Sequence, residues 1–280
     1  MIKIKMIEWF DDHFYKVELD AEKDGEIITN TIYLPSTTTK LQAAPRPFLA
    51  RWRGDVGNRE ADLRMFDACN KGSRIHYACL KVYLNGGAVI YNPVQRPQFT
   101  PAAISELALK IGKEIFVLQD QDEMWQVEKF RRWMNILNPE ILGYEDIVYD
   151  LENKEAGTRD LFLKIKAGKY EISGKKVVEL PEGYYITDLK SGNQIGDEAY
   201  WQTADYAKMS ESDDIKIQGT LILHLNASTT SGFTTHVRLG EQVDEDYKTY
   251  RHVAAVWEAK NKNLQPELLE IPNIITKSEV

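Results

Sequence analysis

The chain has 280 residues, 43% hydrophobic and 28% charged, a composition that fits a soluble globular protein and excludes a disordered or fibrous one. Its longest apolar runs, such as Thr220 to Leu225, are far too short to span a bilayer, and Met1 to Asp12 lacks a signal-peptide layout, so no membrane partner is expected. The net charge of −8 counts mildly against a nucleic-acid partner, but acids that hold a cation are neutralised in use.

Local basic groups also exist. Arg51, Arg53, Arg59, Arg64, Lys71 and Arg74 form one; Lys164, Lys166, Lys169, Lys175 and Lys176 form another. Each is equally well read as a solvated face. The two cysteines, Cys69 and Cys79, read as buried small apolar residues in a helix. They cannot make a disulfide framework or an all-thiolate iron–sulfur cluster, so a reducing, cytoplasmic setting is expected.

In chain order, Lys3 to Phe10, Tyr15 to Leu19 and Ile27 to Leu34 suggest a β meander. The capping residues of Pro35-Ser36-Thr37-Thr38-Thr39 then open a short helix. Arg59 to Leu84 has helical spacing, with a possible break near Gly72. Pro93 and Pro97 mark a loop, and Pro101 to Leu137 reads as a helical hairpin. From Ile141 the period changes. Ile147 to Leu151, Asp160 to Ile165 and Tyr184 to Leu189 read as strands, and Ala199 to Met209 as a helix. Ile215 to Leu225 alternates as a strand should, as do Thr235, Val237 and Leu239. Val243 to Trp257 forms a last helix. The division expected is one domain over 1–260: a β region (1–57), a helical region (58–140) and a catalytic α/β core (141–260). A loose tail (261–280) follows. The fold class is α/β, a mixed central sheet flanked by helices, with an N-terminal meander and a helical insertion.

The chemistry gathers in the second half. An apolar strand ends in Asp188-Leu189-Lys190, and residues two apart on a strand share a face. Asp188 and Lys190 therefore project together, each holding the other charged. Asp160, after Gly157-Thr158-Arg159, sits on the strand before. If the two strands are neighbours, both carboxylates and the Leu189 carbonyl can share a hard cation, which takes several oxygens. Gln202 and Tyr206 share one face of the following helix. His76, four after Gly72, offers an imidazole that suits Mn²⁺ better than Mg²⁺. Alone, Asp-x-Lys is ordinarily a surface ion pair, Gln-x-x-x-Tyr ordinary packing, and a helix histidine a structural one. His13, His224, His236 and His252 read as structural.

Taken in order, Gly72 to His76, Gly157 to Asp160, Asp188 to Lys190 and Gln202 to Tyr206 resemble the RecB-type branch of the PD-(D/E)XK nucleases. Pro35-Ser36-Thr37-Thr38 and Trp52-Arg53-Gly54-Asp55-Val56-Gly57 are similar to segments of phage and mitochondrial exonucleases, so the resemblance spans about residues 35 to 210. It implies a restriction-endonuclease-like core and Mg²⁺ or Mn²⁺ held by His76, Asp160, Asp188 and the Leu189 carbonyl. It also implies a catalytic Lys190, Gln202 and Tyr206 in the site wall or at DNA, and Glu145 as a possible supporting acid. Arg159 stands where the superfamily has its name-giving proline. Iron–sulfur cysteines and a helicase phosphate loop are absent.

The reading is thus a metal-dependent deoxyribonuclease, an exonuclease of phage or bacterial recombination, replication or repair, acting on DNA and working with a partner protein where unwinding is needed. Trp52, Tyr77, Trp201 and Tyr206 are candidates to stack bases. The alternatives are a structure-specific or restriction-type endonuclease, and a non-catalytic DNA-binding subunit with the same fold.

Overall fold

The computed structural model describes residues 2–9, 12–23, 26–92, 100–262, 264 and 266. The expected Pro93 and Pro97 loop, the Phe10 strand end and most of the expected tail lie outside them.

Strands β1 (Ile2–Trp9), β2 (Asp12–Lys23) and β3 (Glu26–Pro35) form the antiparallel meander expected. Period-2 alternation buries Tyr15, Val17 and Leu34 on one face, where they meet Ala156, Ile147 and Tyr149 of the main sheet. Helix α1 (Thr37–Lys40) follows, capped by Ser36, whose Oγ accepts from the Thr39 N–H at 2.9 Å.

The 1–57 segment is not β throughout. Pro47 at the first helical position starts α2 (Pro47–Val56), an unexpected helix that buries none of its residues. Helix α3 (Asn58–His76) then runs unbroken through Gly72 and passes into a π-helical stretch, Tyr77–Tyr83. A Cβ at Gly72 would sit 3.3 Å from Ser191 Oγ, a tight approach that a small turn of the serine hydroxyl relieves. Cys79 is buried as expected, but Cys69 is exposed on α3.

The expected helical hairpin is interrupted. Between α4 (Pro101–Ile111), stopped by Gly112 in the left-handed region, and α5 (Gln121–Leu137) lies β5 (Ile115–Leu118). It pairs in parallel with β4 (Ala88–Tyr91). A four-residue apolar run fits a helix face or a strand equally well; the breaker before it and the Asp120 cap after it decide for the strand.

The central sheet has seven strands in the order β6-β7-β10-β11-β12-β8-β9. These are β6 (Glu140–Asp150), β7 (Glu155–Ile165), β8 (Gly168–Ser173), β9 (Lys176–Leu180), β10 (Gly183–Lys190), β11 (Ile217–His224) and β12 (Thr234–Leu239). Of these pairings only β10 with β11 is parallel, and helix α6 (Asp197–Ser210) makes the crossover between them. Helix α7 (Glu241–Lys260) packs on α6. The β8–β9 hairpin was not expected: its strands of six and five residues each bury a single residue, Ile172 and Leu180, beside the charged Lys169, Glu171, Lys176 and Glu179.

One sheet face buries Leu161, Leu163, Tyr185, Leu189, Leu221 and Leu223 against α5 and the π-helical stretch. The other buries Phe162 and Ile186 against Ala204, Tyr206 and Ala207 of α6. Among the described residues no helix is long and apolar enough to cross a membrane.

Candidate active site

The ladder between β7 and β10 ends at Leu161–Thr187. Beyond it the strands part, and the side chains named above gather there. The Leu189 N–H, which has no β7 carbonyl to reach, donates to Asp160 Oδ2 at 2.7 Å. Asp188 and Lys190 alternate with Ile186 and project on the α6 side, with Lys190 Nζ 2.8 Å from Asp188 Oδ2. Lys190 Nζ also donates to Gln202 Oε1 at 3.3 Å, and Gln202 Nε2 donates to the Tyr206 hydroxyl at 3.1 Å. The i, i+4 pair on α6 thus forms a relay that aims the lysine.

His76 closes the group from the end of α3. Its Nε2 lies 3.0 Å from the Leu189 carbonyl and its Nδ1 3.5 Å from Asp160 Oδ1. Burial opposes its charge, but the Asp160 carboxylate outweighs burial and lifts its pKa to about 9. Burial pushes Asp160 upward, and the charges of His76 and Lys190 pull it below the usual range. Asp188 goes the other way: burial and the neighbouring Asp160 raise it despite Lys190. Lys190 is itself held protonated by Asp188 and Asp160 against the effect of burial.

The donors present fit a hard divalent cation. Asp188 is 5% exposed, and its Oδ2 makes no aligned hydrogen bond, only the ion pair with Lys190. A buried carboxylate so poorly satisfied is the ligand such an ion would stabilise. Asp160, the Leu189 carbonyl and the His76 imidazole complete a mixed oxygen and nitrogen set. Among the described residues no three His, Cys, Asp or Glu side chains form a preassembled cage, since the imidazolium spans Asp160 and the carbonyl instead.

Other expected residues fall elsewhere. Tyr206 is buried at 3% exposure and offers no free face to a base, whereas Trp201 is half-buried and packs against the cluster of Leu41, Tyr250 and Ala254. Trp52 is half-buried; Tyr77 is exposed, packing on Phe116 and donating to Glu114. Glu145 is held by Lys81 at 2.6 Å, and Arg159 stacks over Phe162 and donates to Ser210. His224 bonds the Gly192 carbonyl and His236 the Tyr200 hydroxyl, as structural histidines do. Of the first basic group, Arg53, Arg64, Lys71 and Arg74 are tied up with Asp62, Glu60, Asp122 and Glu123.

Two features have no sequence signal. One is a cleft beside Lys190, to which Thr38, Arg46 and Glu198 contribute. The other is a buried charge cluster in which Glu155 receives Lys40 at 2.8 Å, Tyr250 at 2.8 Å and Arg251 at 3.0 Å. Beside it Asp205 accepts from Thr37 at 2.7 Å. No protein-family model matches the chain, and no curated protein sequence matches it.

Proposed function

We propose that the protein is a Mg²⁺- or Mn²⁺-dependent deoxyribonuclease, an exonuclease of recombination, replication or repair. One observation carries the reading: Asp160, Asp188, Lys190, His76 and the Leu189 carbonyl, drawn from three separate elements, converge at the parted ends of β7 and β10. A bound divalent cation would supply Lewis acidity toward a phosphate and acidify a water. His76, Asp160, Asp188 and the Leu189 carbonyl are the groups that would hold it.

The chain's own residues do the rest. Lys190 is a fixed positive charge, aimed by Asp188 and Gln202. There it serves to orient an attacking water or to meet charge developing on the phosphate. Tyr206, locked behind Gln202, keeps that amide from rotating away. Burial of Asp188 keeps competing water out of its carboxylate.

The lack of a three-side-chain cage among the described residues favours a second reading, a nucleic-acid-binding subunit without turnover. One assay separates the two. Purified protein is incubated with Mg²⁺ or Mn²⁺ on end-labelled single- and double-stranded DNA, with an EDTA control and a circular substrate. The nuclease reading expects metal-dependent shortening of linear DNA and an intact circle. Cutting of the circle assigns an endonuclease, and binding without cutting assigns the subunit.

A further inference from the structure

Beside Lys190 and Gln202 a cleft of about 240 Å³ opens between α1 and the start of α6. Thr38, Arg46, Gly196 and Glu198 line it. Arg46 Nε donates to Glu198 Oε1 at 3.0 Å across the cleft, and both side chains reach solvent, at 41% and 28% exposure. Among the described residues its other two nitrogens make no hydrogen bond. A guanidinium that holds one carboxylate oxygen and keeps two nitrogens open is matched to a phosphate, which accepts from such a fork bidentately. An ion pair this exposed is weak, and another anion can replace its carboxylate. The Thr38 hydroxyl on the same wall donates to Ser36 Oγ at 2.9 Å, because Ser36 spends its own proton on Thr39 Oγ1.

We infer that this cleft is a phosphate subsite, in which Arg46 exchanges Glu198 for a nucleic-acid phosphate neighbouring the one at Lys190. The inference rests on the nuclease reading, because it is the proposed reaction centre beside it that makes a nucleotide phosphate the fitting anion. That phosphate is either an internal diester or a monoester at a strand end; the chemistry that binds it is the same.

The test is binding, not cleavage. Fluorescence anisotropy in EDTA follows a labelled oligothymidylate carrying a 5′-phosphate, a 3′-phosphate or neither. Arg46→Ala is expected to weaken binding about tenfold, as loss of a charge-assisted contact does. It should also reduce the slope of log K against log salt by about 0.7, one single-strand phosphate contact. Loss confined to one phosphorylated probe assigns the end monoester; equal loss on all three assigns the diester. Glu198→Gln should tighten binding severalfold, and the gain should vanish in the Arg46→Ala background. The subsite is overturned if Arg46→Ala costs no more than the exposed control Arg51→Ala, or if the Glu198→Gln gain survives without Arg46. Metal-dependent cleavage is scored separately, so a failed subsite leaves the nuclease reading standing, and a failed nuclease shows as no cleavage.

Discussion

Gly157 and Tyr206 compete for one space: a Cβ on the glycine would run into the phenol ring, with Cζ only 2.9 Å away. The bare backbone of β7 is what lets α6 lie close enough for Gln202 to reach Lys190. Gly157→Ala should therefore push the ring outward and cost about 1–3 kcal/mol of stability, the usual penalty for overpacking. Denaturant unfolding measures it. A smaller residue at the partner, Tyr206→Leu, should recover part of the loss; an alanine variant as stable as wild type would show that the ring is free to move.

Asp160→Ala and Lys190→Ala should abolish cleavage while leaving the fold largely intact. The first removes a proposed ligand and also the acceptor of the Leu189 N–H. The second removes a charge that only the site uses, and should cost at least about a hundredfold in turnover. Circular dichroism establishes folding, and cleavage of labelled DNA gives the rate. Unchanged cleavage by either folded variant would reject the site.

The charge state of His76 sets a pH dependence that needs no metal to observe. Its folded pKa is raised to about 9, above the ordinary imidazole value of about 6.5. A raised pKa means stability fully present below about 6.5 and lost as pH climbs through about 9. Metal-free protein should thus lose stability across that window, and His76→Ala should flatten the slope. Since a ligand imidazole must be neutral, cation binding should strengthen over the same interval. Thermal unfolding in EDTA from neutral to alkaline pH checks the first, and calorimetric Mn²⁺ titration the second. A wild-type slope that persists in His76→Ala would assign the titration elsewhere.

The site was legible where its geometry is local. Period 2 on β10 pairs Asp188 with Lys190, and period 3.6 on α6 pairs Gln202 with Tyr206. The order of the four motifs then brought His76 and Asp160 to them. Arg46 and Glu198 meet 152 positions apart, and Lys40 and Glu155 115 apart, with no local period to announce either. The fold shows the same divide. The long alternating strands were readable, whereas β5 is too short to carry a period. The β8–β9 hairpin looked like a lysine-rich surface, and α2 buries no apolar face to leave a stripe. The burial of Tyr206 was not legible, because it depends on Gly157, 49 residues earlier in the chain.

The buried cluster behind α1 gives the last prediction. Asp205 is buried beside Glu155, and burial followed by the Glu155 charge lifts its carboxyl well above the usual range. Burial and the Glu155 charge thus favour its neutral form, and its Oδ1 has no hydrogen-bond partner among the described residues. A raised folded pKa places its stabilising contribution at acid pH, where both states are protonated, and removes it as pH rises toward the folded value. At neutral pH the carboxyl is thus a liability that an amide would relieve. Asp205→Asn keeps a neutral group able to accept from Thr37 and to donate to Glu155. It should raise stability at pH 7 and flatten its dependence on pH. Lys40→Met should do the opposite: it strips Glu155 of its most buried cation, the two side chains being 1% and 0% exposed, and should cost about 3–5 kcal/mol. Chemical denaturation of both variants at two pH values decides. If Asp205→Asn is destabilising at neutral pH, Asp205 is charged in the fold, and Lys40 and Arg251 offset its charge as well as those of Glu155 and Glu258.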